Sequence, residues 1–290
     1  MKKFASLIFK KIYDECAISW TMELTFYLVF LLIFLGILSG MVSSIAGIGG
    51  GVFFVSFISL LFLIDIKIAI DTSTFIILFS SFAGFITYLR QGRTSFKLSL
   101  FFSSFSILGS FLATILFSFV SIESYILEII FAVTLLIAGA NMTYKAIKAK
   151  NVPEIQEVSH IDFLEFTLKD HDHKATFKKA IPLFMLAGFT ANLLGIGGGI
   201  INTPSLNMVL NFPIHNSTAI STSIIFFTAI YNTIIKSLTG QIDYLIGLLI
   251  MFGSILGSIL GARISKMMPK NYLQIFVSAV LIGLAIRMFF

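Results

Sequence analysis

The sequence predicts an all-α, polytopic membrane protein built from two inverted repeats, with broken or re-entrant helices at two glycine knots. Three observations carry that prediction. Hydrophobic residues make up 57% of the 290-residue chain and charged residues 12%, with a mean hydropathy of +0.99; a soluble domain carries about 25% charged residues. Apolar runs close to the roughly 20 residues that span a bilayer recur along the chain. The knots Gly47-Ile48-Gly49-Gly50-Gly51 and Gly195-Ile196-Gly197-Gly198-Gly199 interrupt such runs, because each glycine costs a helix about 1 kcal/mol relative to alanine.

Taken in order, residues 1–23 read as an N-terminal amphipathic segment at the membrane interface. Lys10, Lys11, Asp14 and Glu15 break its apolar pattern, which argues against a secretory signal. Residues 24–148 form a first transmembrane repeat, with apolar runs Leu24–Ala46, Val52–Ile64, Ile68–Leu89, Phe96–Val120 and Ile122–Ile147. Residues 149–179 are polar and read as a cytoplasmic linker. Residues 180–290 form the second repeat, with runs Ile181–Leu194, Ile200–Phe212, Ser217–Leu238, Ile242–Ile264 and Tyr272–Phe290. The runs flanking each knot are short, which fits either a re-entrant hairpin or two tilted helices that meet inside the membrane. The expected location is the cell membrane, multi-pass, in a bacterial inner membrane.

The duplication is visible residue by residue. A shift of 148 lays Gly40 on Gly188, knot on knot, Gly92 on Gly240 and Gly109-Ser110 on Gly257-Ser258. Ala69-Ile70-Asp71-Thr72-Ser73 matches Ala219-Ile220-Ser221-Thr222-Ser223 at a shift of 150, which predicts two extra residues in the second copy. Ordered glycine, serine and threonine matches indicate structural repeats, since apolar residues alone match by chance.

Positive charge sets the topology. Arg90, Arg93 and Lys97, then Lys145, Lys148 and Lys150, then Arg263, Lys266 and Lys270 place three loops in the cytoplasm. The equivalent turns near Gly92 and Gly240 then fall on opposite sides, so the repeats are inverted. The N-terminal lysines Lys2, Lys3, Lys10 and Lys11 pull against this scheme. The net charge of +6 carries no basic cluster interleaved with stacking aromatics, so no nucleic-acid partner is expected. The lone Cys16 excludes an intramolecular disulfide framework. His171-Asp172-His173, with His160 nearby, reads as a solvated charge run in preference to a metal site.

Two broken helices in matching places suggest two half-sites facing one cavity, as in many secondary transporters. Exposed N–H groups at a helix N-terminus attract an anion, and glycine lets it approach the backbone. Gly47, Gly49, Gly50 and Gly51 with Ser44, and Gly195, Gly197, Gly198 and Gly199 with Asn192, Asn202 and Thr203, are therefore the candidate substrate-binding residues. Thr72, Ser73, Thr222 and Ser223 join them, with helix capping as an equal alternative. Asp71 and Lys236 are ionisable groups within spans and are candidates for ion coupling, with an interfacial position for Asp71, and snorkelling or the lining of an anion path for Lys236, as the alternatives; Glu128 lies near the end of its span. Gly253, Gly257 and Gly261 recur on one helix face and read as close-packing positions. No ATP-binding signature follows either knot, and no cofactor or metal is expected. The Gly36–Gly40 segment carries Ser39 but no histidine within a span to activate it, so no enzyme activity is expected.

The doubled pattern Gly40…Gly47-Ile48-Gly49-Gly50-Gly51 and Gly188…Gly195-Ile196-Gly197-Gly198-Gly199, followed by Asn202-Thr203-Pro204-Ser205-Leu206, resembles the TauE/SafE family. The Ala-Ile-x-Thr-Ser segments and the Gly92 and Gly240 turns share the resemblance, which covers about residues 24–290 apart from the linker. It implies a permease or exporter of sulfite, a sulfonate or a related sulfur-containing organoanion, or of a small carboxylate, working by alternating access. The first repeat departs from the pattern at Ser56, which stands for Pro204, and at Asp71. The expected partners are a small anionic substrate and the lipid bilayer, with a homo-oligomer left open. A passive anion channel and a membrane assembly or sensing subunit are the alternative functions.

Overall fold

The computed structural model describes residues 26–119, 123–148, 171–210 and 212–265, together with positions 282 and 286. The N-terminal segment, residues 149–170 of the linker and nearly all of the Tyr272–Phe290 run lie outside the described residues. The described part is all-helical: α1 (Phe26–Ala46), α2 (Gly51–Phe62), α3 (Ile66–Arg90), α4 (Phe96–Phe119), α5 (Ser124–Lys148), α6 (His171–Leu194), α7 (Gly199–Pro204), α8 (Ile214–Thr239) and α9 (Tyr244–Ile264). Five of these helices are long and apolar enough to cross a membrane, namely α1, α3, α4, α8 and α9. Helix α6 begins at His171, so the last residues of the predicted linker are helical.

Element boundaries repeat at one spacing. Helices α1 and α6 end at Ala46 and Leu194, α2 and α7 start at Gly51 and Gly199, α3 and α8 start at Ile66 and Ile214, and α4 and α9 start at Phe96 and Tyr244, each pair 148 residues apart. The two-residue insertion predicted near Ser221 is therefore absent. The apparent shift of 150 came from alternating small polar residues, Thr72-Ser73-Thr74 against Ser221-Thr222-Ser223, which match in either register.

The halves interlock. Helix α1 packs on α9 and α6 packs on α4, so each half lends a helix to the other. Glycine permits the close approach. A Cβ on Gly257 would run into the carbonyl of Ile37, and one on Gly109 into the carbonyl of Met185, the matching pair. Gly253 and Gly261 meet Ile33 and Met41 in the same way. In a membrane, where lipid is as apolar as leucine, such small-residue contacts bring helices together by van der Waals packing.

Helices α3 and α8 form the centre. Two-thirds (67%) of each most apolar window is buried, against 33% for α4 and 39% for α1. They run antiparallel: Asp71 and Thr74 meet Lys236, Phe82 meets Phe226, and Gly84 lies against Thr222. Asp65 caps α3 through the Lys67 N–H, and Asp243 caps α9 through the N–H groups of Leu245 and Ile246. Outward-facing Phe30, Phe34, Leu108, Phe111, Phe252 and Leu256 are exposed and suit a lipid surface.

Candidate functional site

Both glycine segments break the chain, and they do so with the same backbone. Gly47, Gly49 and Gly50 have φ of 66°, 95° and 72°; Gly195, Gly197 and Gly198 have 64°, 79° and 74°. These are left-handed values that side chains resist. Helix α2 has 12 residues, about 18 Å of rise, short of a bilayer core of about 30 Å. Because α1 runs parallel to α9, and α3 begins beside Gln241 and Asp243, the start of α1 and the end of α2 share one face. The second half differs at Pro204, which lacks an N–H: α7 stops there and passes into a π-helical turn, Ser205–Val209. The matching Ser56 bonds the Val52 carbonyl within a regular helix.

The two segments pack against each other. A Cβ on Gly51 would meet the Gly195 carbonyl, one on Gly199 the Gly47 carbonyl, and Gly49 faces Gly197. Serines from the central helices tie them. Ser73 donates to the Gly195 carbonyl at 2.8 Å, and Ser221 donates to the Gly47 carbonyl at 2.8 Å, where Thr203 Oγ1 also donates at 2.9 Å. Gly50 and Gly198 are the N-cap positions of α2 and α7. All ten knot residues are buried.

A cavity of about 410 Å³ lies beside this seam. Its rim carries the exposed Lys67, Ser118, Thr239 and Gly240, and its depth carries Ile70, Asn192, Leu193 and Lys236. Asp71, Thr114, Phe117, Leu127 and Ile235 complete the wall. Lys236 Nζ lies 3.2 Å from Asp71 Oδ1 and 3.2 Å from Thr74 Oγ1. The Asn192 amide donates to the Ser110 carbonyl and to Thr114 Oγ1, both at 2.8 Å. Thr74 also borders a second space of about 10 Å³, with Gly197, Thr228 and Asn232 in its wall; that is about the size of one water.

Among the described residues, the corresponding place at the Gly92 face is occupied by buried side chains, Tyr88 and Arg93. The 148-residue spacing lays Tyr88 on Lys236 and Ser44 on Asn192. The Tyr88 hydroxyl donates to the Ser44 carbonyl at 2.7 Å, and Ser44 Oγ lies 2.6 Å from Ser258 Oγ. Arg93 sits 5.0 Å over the Tyr88 ring, a cation–π contact. Its guanidinium donates to Ser265 Oγ at 2.8 Å and to the His215 carbonyl at 3.0 Å. Asn216 donates to the Arg93 carbonyl at 3.2 Å.

Of the candidates read from the sequence, Asp71, Asn192 and Lys236 meet in the large cavity, and Gly197 borders the small one. The other glycines, Ser73 and Thr203 form the seam. Thr72 Oγ1 accepts from the Asp243 N–H, and Thr222 and Ser223 bond the carbonyls of Thr218 and Ala219 in their own helix. Asn202 is fully buried, and neither polar atom of its amide has a hydrogen-bond partner among the described residues. Thr74, Thr114, Asn232 and Tyr88 are not singled out in the sequence, and Arg93 is read there only as a charge that sets topology. Asn232 offered a signal, an amide inside an apolar run, while Tyr88 gains meaning only through its match to Lys236.

The chain matches the sulfite exporter TauE/SafE family over residues 32–288. It is 24% identical over 248 residues to "Probable membrane transporter protein YunE" of Bacillus subtilis (strain 168), covering 82% of this chain and 89% of that protein. It is 25% identical over 240 residues to "Probable membrane transporter protein YdhB" of the same organism, covering 82% and 91%. It is 28% identical over 254 residues to "Probable membrane transporter protein MJ0441" of Methanocaldococcus jannaschii, covering 82% and 86%. No solved structure matches the chain. A family match across most of an apolar, helical, multi-span chain leaves one assignment: this is a multi-pass membrane protein of the TauE/SafE transporter family.

Proposed function

We propose that the chain is a secondary transporter of a small anion, a sulfonate or related sulfur oxyanion, working by alternating access between two inverted halves. The observation that carries this reading is the asymmetry of two matched mouths. One holds a cavity with a lysine in its depth; the other is filled by Tyr88, Ser44 and Arg93. Matched central helices that run antiparallel support inversion, because a two-fold operation relating them lies across the helix axes, in the membrane plane. Exchanging the two arrangements exchanges the open side.

The filled mouth carries Arg90, Arg93, Lys97 and Arg263, so the positive-inside rule assigns it to the cytoplasm and the cavity to the outside. A cavity of 410 Å³ falls in the ~300–1,000 Å³ range of small-molecule sites. Its ammonium and its apolar wall suit an anionic head on a short carbon body. Ile70, in its wall, lies against Gly195 of the glycine seam, and a separate water-sized space is bordered by Thr74 and Gly197. A closed inner mouth speaks against a passive channel.

The test is counterflow in proteoliposomes. Sulfite, ethanesulfonate and acetate are offered outside vesicles loaded with the same unlabelled anion. Saturable exchange of label, lost in Lys236→Gln, is expected. Conductance without exchange, or Lys236→Gln exchanging as well as wild type, overturns the reading.

A further inference from the structure

The Asp71–Lys236 pair occurs at one mouth only. The 148-residue spacing lays Lys236 on Tyr88 and Asp71 on Ala219, so neither charge has a charged counterpart at the other mouth. The pair is largely withdrawn from solvent, with side-chain exposures of 16% for Asp71 and 9% for Lys236. Asp71 Oδ1 holds Lys236, and Oδ2 accepts from the Gln241 N–H at 3.2 Å. Around them, α3 adds Lys67 one turn away at the rim, and Asp243 in the loop before α9 lies by Thr72 through its N–H. Asp65 and Asp243 are occupied as helix caps. Helices α4 and α6 bring Thr114 and Asn192 to the wall, and Tyr231 of α8 reaches Thr114 Oγ1. Among the described side chains, no other charge lines this cavity.

The Lys236 ammonium is thus already matched by a carboxylate. An anion arriving at the ion pair would make the site net negative; a proton arriving alone would make it net positive. A charge buried without a partner is strongly disfavoured, so neither form is suited to closure. We infer that Asp71 is a tethered stand-in for the substrate, and that the cavity loads one monovalent anion together with one proton. The proton, drawn from the outer solution, bonds to the Asp71 carboxylate; the ion pair opens, and the ammonium turns to the anion. Release on the other side reverses both steps. Lys67 at the rim is exposed to water; within the buried site the empty and loaded forms are both neutral, so the carrier turns over as a proton–anion symporter. The inference rests on the cavity being the transport site.

Ethanesulfonate tests it, because it stays ionised across the pH range of the assay and any pH effect belongs to the protein. In proteoliposomes with an entrapped pH dye, wild type should take in one proton per anion. Its apparent affinity should rise about tenfold for each unit fall in pH, the slope of one linked proton. In Asp71→Asn that slope should vanish and net uptake collapse, while exchange of labelled for unlabelled ethanesulfonate stays measurable, because only the empty carrier is left charged. Asp71→Ser should behave alike, which guards against a folding fault in either variant. A wild-type pH slope in both variants, or wild-type uptake that carries charge without protons, overturns the inference and leaves the site standing. Absence of ethanesulfonate exchange in wild type, or exchange unaffected by Lys236→Gln, overturns the site itself.

Discussion

Ser73 and Gly195 lie in opposite halves of the chain, and the serine hydroxyl donates to the glycine carbonyl at 2.8 Å. Ser221 repeats the contact on Gly47 at 2.8 Å. A carbonyl freed by a helix break in a membrane interior needs such a donor, since lipid offers none. Each half therefore supplies the hydrogen bond that makes the other half's break tolerable.

The first prediction concerns that exchange. Ser73→Ala and Ser221→Ala should each lower stability by about 1 kcal/mol, the scale of one interhelical hydrogen bond. Thermal unfolding in detergent should give shifts of the same sign and similar size for the two variants.

The glycine seam is a steric requirement. Gly51→Ala and Gly199→Ala each place a methyl group against a carbonyl of the opposite segment, and should prevent accumulation of folded protein. Gly198→Leu adds a left-handed φ of 74°, a cost of roughly 1–2 kcal/mol before any clash. Size-exclusion profiles of the purified variants measure all three.

Asn202 separates function from packing. Its amide bonds nothing among the described residues, and a buried amide without a partner costs about 1–3 kcal/mol. Asn202→Ala should then keep or slightly raise the unfolding temperature, yet lower anion exchange about tenfold or more. Loss of stability together with full exchange would assign the residue a purely structural role.

The two mouths should differ in access. With Cys16, the single cysteine, replaced by serine, Thr114→Cys should react with an impermeant thiol reagent from the outside and be protected by substrate. Ser258→Cys, behind Tyr88 and Arg93, should stay unreactive from either side until Arg93→Ala loosens the inner mouth. Labelling rates on sealed, oriented vesicles provide the measurement.

The membrane class and most of the described helices were legible in the sequence because each rests on local composition, whereas α6 starts at His171, inside the segment read as linker. A run such as Phe96–Val120 has to be a span, and Gly47–Gly51 has to break one. The 148-residue spacing of the element boundaries matches the glycine spacing in the sequence, while near Ser221 short polar residues in alternation align equally well two positions apart. Lys236 and Asp71 were visible as charges inside spans. Their partnership was not, since it joins the end of α8 to the start of α3 across 165 residues of chain.

The sequence by itself determined a multi-span helical protein with two glycine breaks, because hydropathy and glycine's conformational freedom act over a few residues at a time. Only the tertiary structure decided that the breaks seal against each other and that the cavity opens beside them. It also decided that one mouth is filled by Tyr88 where the other holds Lys236. Those outcomes depend on which side chain fills a space left by a helix from the other half, and packing of that kind has no local signature.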